Sequence, residues 1–145
     1  MYLAYLTGRR RTDILEATRH NLLPEGIYFP GSKTNKESLI PWTEHLRQTI
    51  DLIKEVAGDS VYLFPSNDHP DVRFSDSAIA NAMTKLKKRM RVAGFNLFQF
   101  KDIRKKYGTD LEARGNDAQR NLMHSSRTTT DRHYTSKPTK VVSIR

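Results

Sequence analysis

Three short apolar runs between residues 22 and 41 constrain this chain more than any other feature of it. Leu22-Leu23, Ile27-Tyr28-Phe29 and Ser38-Leu39-Ile40-Pro41 are each too short for a helix, and Pro24-Glu25-Gly26 and Pro30-Gly31-Ser32 break the chain between them. Runs of that length, separated by proline and glycine, read as strands joined by turns, here a three-stranded antiparallel meander. Its second turn places Lys33, Thr34, Asn35 and Lys36 at an exposed, basic hairpin tip.

Everything around the meander has helical spacing. Short helices are expected over 1–6 and 10–17, separated by Thr7 and Gly8. Thr43 is an N-cap for a helix carrying Leu46, Ile50, Ile53 and Val56 on one stripe and stopped by Gly58. Ser75 caps a second long helix with the stripe Ile79, Met83, Leu86 and Met90, ended by Gly94. Further helices are expected over 98–113 and 117–123, with another turn or two over 128–134. Trp42, Phe95, Leu97, Phe98 and Phe100 are expected in the core. The fold class is α+β, mainly helical, with a small three-stranded antiparallel sheet on one side.

Charge narrows the partner. The 145 residues hold 25 Lys plus Arg against 16 Asp plus Glu, a formal net charge of +9. The positive residues gather in three runs, Arg9 to Arg11, Lys85 to Arg91 and Lys101 to Lys106, with scarcely an acid among them. Such clusters attract phosphate, and counterion release makes the binding steeply salt-dependent. No amphipathic helix sets Trp or Phe beside its lysines, which argues against a membrane surface. The absence of cysteine excludes a disulfide framework, thiolate zinc sites and thiol nucleophiles. A soluble, intracellular protein that binds nucleic acid is the expectation.

Three strings carry the chemistry. Thr7-Gly8-Arg9-Arg10-Arg11-Thr12-Asp13 puts an arginine at a helix start with an acid three residues on. Lys101-Asp102-Ile103-Arg104 sets a lysine and an arginine three apart on one helix face. Leu122-Met123-His124-Ser125-Ser126 precedes Tyr134 by about one more turn-rich segment. Each is ordinary alone. In this order, with a lysine hairpin between the first and second, they resemble the catalytic domain of the tyrosine recombinases, the phage-integrase family, from Thr7 to about Tyr134.

That resemblance implies site residues. Arg10 and Arg104 match the two phosphate-binding arginines, Lys33 the hairpin lysine, His124 the histidine of the third motif and Tyr134 the nucleophile. Asp13 and Asp102 would brace the arginines, or serve simply as helix-start acids. Lys101 stands where the family usually has histidine, and the interval from His124 to Tyr134 is one residue longer than usual. Arg9, Arg11, Lys36, Lys85, Lys88 and Lys105 would contact flanking DNA. The implied organisation is a catalytic domain over 1–135 with its first helices cut away and a tail over 136–145, the family's core-binding domain lying outside this chain. A tetramer on DNA is implied for the full-length protein, and no cofactor.

The residue types suit the reaction. A phosphodiester broken without metal needs a nucleophile, a proton donor for the leaving oxygen and fixed positive charge around the transition state. Arginine grips two phosphate oxygens with a planar fork and keeps its proton. A tyrosine of pKa ~10 is about one part in a thousand phenolate at neutral pH, a deficit of roughly 4 kcal/mol that nearby cations would offset. The five histidines lack ligand-type pairing, so a metal-dependent nuclease is disfavoured. Two alternatives stay open: a basic DNA-binding module that keeps the fold without turnover, and an activity like that of type IB topoisomerases.

Overall fold

The computed structural model describes residues 1–30 and 37–122. The meander forms where proline and glycine delimit it. Strands β1 (Leu22–Leu23), β2 (Gly26–Phe29) and β3 (Ser38–Pro41) lie in the order β1-β2-β3, all antiparallel. Ile27 faces both Leu22 and Ile40, and Phe29 faces Ser38. Ile27 and Phe29 point to the same side of β2 and are buried, as the two-residue repeat of a strand requires.

The helices are α1 (Tyr2–Thr7), α2 (Arg11–Glu16), α3 (Glu44–Ala57), α4 (Asp76–Val92), α5 (Phe100–Ala113) and α6 (Ala118–Leu122), with a 3-10 turn at Arg19–Asn21. One core joins α1, α2, β2 and α3 through Leu3, Ala4, Ile14, Ala17, Ile27, Phe29, Leu46 and Ile50, and Leu63 closes it from the segment after α3. Burying each of the larger of these side chains is worth about 1.5–3 kcal/mol.

Helix α3 begins as its sequence predicts, with Thr43 Oγ1 accepting the Leu46 amide at 3.2 Å. Removing that acceptor in Thr43→Ala is expected to cost about 1 kcal/mol, measured by urea denaturation. Its stripe differs at one end: Val56 is 89% exposed and Ala57 is buried instead. At 3.6 residues per turn, position 56 lies about 100° round the helix from the line through Leu46, Ile50 and Ala57. Thr49 takes a buried place nearer that line and donates its hydroxyl to His45 O at 2.6 Å.

Helix α4 is capped by Ser75, whose Oγ accepts the Ala78 amide at 3.0 Å, and the chain turns at Gly94 with φ 74°. Ile79, Met83, Leu86 and Met90 are only half-buried, because α4 lies outside the main core, with a cavity between Ile79 and Met83 on one side and Arg11, Gln99 and Phe100 on the other. Two ion pairs hold its start, Arg11 to Asp76 at 2.8 Å and Arg73 to Asp76 at 3.5 Å. The segment that follows overturns part of the expected core. Phe95 is 67% and Leu97 46% exposed, since the chain from α4 to α5 runs across the surface. Phe98, Phe100 and Trp42 are half-buried, with Trp42 Nε1 donating to Leu23 O at 2.9 Å and the Arg47 guanidinium lying over its ring. No helix among the described residues is long and apolar enough to cross a membrane.

Candidate active site

The turn between α1 and α2 builds one wall of the site. Thr7 is buried and donates its hydroxyl to Leu3 O at 2.7 Å, which closes the last turn of α1. Gly8 follows in the left-handed region at φ 62°, its amide donating to Ala4 O at 2.9 Å. A Cβ there would stand 2.3 Å from two ring carbons of Tyr107, so the α5 tyrosine lies directly against this glycine. The chain then leaves in extended conformation at Arg10, which precedes α2, and Asp13 Oδ2 accepts the Arg10 amide at 3.2 Å.

The start of α5 builds the facing wall. Asp102 Oδ2 accepts the Gln99 amide at 2.8 Å and its other oxygen pairs with Lys105 at 3.4 Å. Both acids thus hold helix starts. Arg104 is 7% exposed, and its two terminal nitrogens donate to Gly8 O and Leu122 O. Tyr5 on α1 donates its hydroxyl to Asp110 Oδ2 on α5 at 2.6 Å, and Lys106 donates to the other oxygen of the same carboxylate.

Between these walls is a cleft of about 440 Å³ lined by Arg9, Arg10, Arg11, Lys101 and Arg104, with Ala4, Phe100 and Ile103 as its apolar lining and Thr12 beside them. Residues some ninety positions apart in sequence thus meet at one basic cavity, and no acid lines it among the described residues. Such a cavity suits a phosphate: convergent donors of one sign in a partly dry setting.

Proton affinities follow from these neighbours. The Gln99 amide, then Lys105 and Lys101, hold the Asp102 carboxyl below its ordinary value of 3.8. Lys106 and Tyr5 do the same for Asp110. Burial pushes the Tyr107 phenol up, with Arg9 and Arg104 opposing, and burial lowers Arg9, with Tyr107 and Asp13 opposing. A carboxyl depressed on folding adds stability above its unfolded pKa and loses it as pH falls through the folded value. The Tm deficit of a chain carrying Asp102→Ala and Asp110→Ala is therefore expected to be widest at neutral pH and to close as pH drops below 3.8, read by thermal melts across that range.

The other expected residues fall as follows. Arg10 and Lys101 line the cleft, the first half-buried and the second exposed. Lys85 and Lys88 are exposed on α4, Arg11 is paired with Asp76, and Lys105 with Asp102. Arg9, expected as a DNA contact, lines the cleft but is 6% exposed, and its guanidinium donates to Thr7 O, Ser38 Oγ and Asn121 O. Lys33, Lys36, His124 and Tyr134 lie outside the described residues. The supports at Tyr5, Ser38, Tyr107 and Asp110 went unseen in the sequence, because no local spacing links partners 29 to 105 residues apart.

No family model matches the sequence, and no curated protein does. Solved structures match it closely in shape. XerA recombinase superposes with a TM-score of 0.72 at 23% identity, over 94% of this chain and 50% of that one. A lambda integrase tetramer bound to a Holliday junction gives 0.74 at 22%, over 99% and 44%. The lambda integrase catalytic core gives 0.67 at 22%, over 84% of this chain and 75% of that one. The chain thus spans about half the length of the first two. The expected architecture, helices around a small antiparallel sheet, is the one found, and the chain has the fold of the tyrosine-recombinase catalytic domain.

Proposed function

We propose that this chain is the catalytic part of a site-specific DNA recombinase or integrase, which cuts and rejoins double-stranded DNA through a 3′-phosphotyrosyl intermediate. The observation that carries the reading is the acid-free cleft where Arg10, Lys101 and Arg104 converge. In this mechanism Arg10 and Arg104 bind the two non-bridging oxygens of the scissile phosphate, and His124 donates a hydrogen bond to it. Tyr134 Oη attacks phosphorus while the bond to the 5′ oxygen breaks. Lys33 gives its proton to that leaving oxygen, and Lys101, when neutral, or a water takes the tyrosine proton. One ester replaces another, so attack by a 5′ hydroxyl reseals the strand without ATP. Lys85 and Lys88 on α4 reach flanking backbone. Lambda integrase forms a tetramer on a Holliday junction, which supports self-association on DNA; the proposed compartment is the cytoplasm.

The test is a denaturant-stable adduct between the chain and a pool of nicked duplexes of randomised sequence. Wild type is expected to form it and Tyr134→Phe to abolish it; an adduct that survives Tyr134→Phe rejects this nucleophile. One observation favours a second reading, a DNA-binding module without turnover: Arg104 directs both terminal nitrogens at backbone carbonyls. Under that reading the same duplexes bind and no adduct forms.

A further inference from the structure

Arg9 stands one residue before Arg10 and lines the same cleft, yet its guanidinium turns inward. Nε donates to Thr7 O at 3.2 Å, Nη1 to Ser38 Oγ at 3.1 Å, and Nη2 to Asn121 O. Three separate parts of the chain are thereby joined through one side chain. They are the turn that presents Arg10, the first residue of β3 at the foot of the basic hairpin, and the last turn of α6. Arg104 makes a parallel link, from Gly8 O to Leu122 O, so two buried guanidinia tie the α1–α2 turn to the end of α6.

We infer that Arg9 is a positioning residue for the reaction proposed above: it holds β3 and the end of α6 in fixed register with Arg10. The inference rests on that proposed function for its catalytic meaning and on geometry alone for its structural part. Its physical basis is the shape of the group. A guanidinium presents donors in a rigid planar fork and can meet three acceptors at once, whereas a lysine ammonium is a single point on a flexible stem. The same sequence positions explain the consequence for chemistry. Leu122 is two residues before His124, and Ser38 is five after Lys33, so a loosened clamp displaces both segments that lead to the remaining site residues. Misplacing a reacting group by about 1 Å can cost on the order of 100-fold in rate. Because Arg9 is 6% exposed and faces protein acceptors, it adds little to DNA affinity.

The experiment compares Arg9→Met, Arg9→Lys and Ser38→Ala with wild type in the 145-residue chain, with three readouts. Single-turnover adduct formation at saturating protein, on the randomised nicked pool, is expected to fall about 10–100-fold in both Arg9 variants and less in Ser38→Ala. The Kd for the same pool is expected to stay within about 2-fold, with an unchanged salt slope. Amide hydrogen exchange is expected to rise about 10-fold over 38–41 and 118–122 and to stay constant over 44–57. Should Arg9→Met fail to fold, Ser38→Ala, which removes one arm of the clamp and little volume, decides the matter by its exchange over 38–41. Exchange in Arg9→Lys equal to wild type overturns the inference, as does weaker DNA binding with a shallower salt slope and an unchanged saturating rate. A wild-type chain that forms no adduct rejects the recombinase reading instead, and the exchange data then judge the clamp independently.

Discussion

Arg10→Ala is expected to slow formation of the phosphotyrosyl adduct by about 100–1,000-fold while leaving the fold intact. The magnitude is that of removing one preorganised donor from a group that develops charge in the transition state. The selectivity for rate over stability comes from how Arg10 is used by the fold. Its backbone, not its side chain, makes the link to Asp13 that starts α2, and alanine keeps that amide. Arg104 offers the contrast. Its guanidinium joins Gly8 and Leu122 from a buried position, so Arg104→Ala lowers the melting temperature as well as the rate. Measured together, single-turnover rates and thermal melts separate the two arginines, and an Arg10→Ala chain with wild-type rate removes Arg10 from the chemistry.

Gly8→Ala is expected to destabilise the fold by about 2–5 kcal/mol. Two causes add: a side chain in the left-handed region costs about 1–2 kcal/mol, and overpacking against a fixed neighbour about 1–3 kcal/mol. The neighbour is the Tyr107 ring, 2.3 Å from where the new methyl would sit, and α5 packs that ring in a half-buried place. A double-mutant cycle resolves the parts. In a Tyr107→Ala background only the backbone cost of about 1–2 kcal/mol should remain. Equal costs in both backgrounds would show that the ring is not what the methyl meets.

Much of the fold was legible in the sequence because local chemistry determines it. Proline and glycine bound the three strands whatever packs on them, and Thr43 and Ser75 satisfy helix amides within their own turns. Patterning failed where burial depends on distant surfaces. Val56 is a valine at the wrong angle, and Phe95 and Leu97 occupy an exposed connection between α4 and α5. The site divides in the same way. The order of its motifs located Arg10, Lys101 and Arg104, which do meet, but Arg9 read as one more cation in a basic run. Its burial is set by carbonyl and hydroxyl oxygens from residues 38 and 121, and no pattern near position 9 contains them.

The two walls of the cleft are each fastened to α1, a helix of six residues. Thr7 leads from it into the turn that bears Arg10, and Tyr5 grips Asp110 of the helix that bears Arg104. Helix α1 thus acts as a caliper whose setting is the gap between the two arginines. Tyr5 does not line the cleft, so shortening its reach would retune that gap without altering a single charge inside it. Spacing between the two arginines is in this way adjustable from outside the cavity, at a position where sequence change leaves the lining residues themselves untouched.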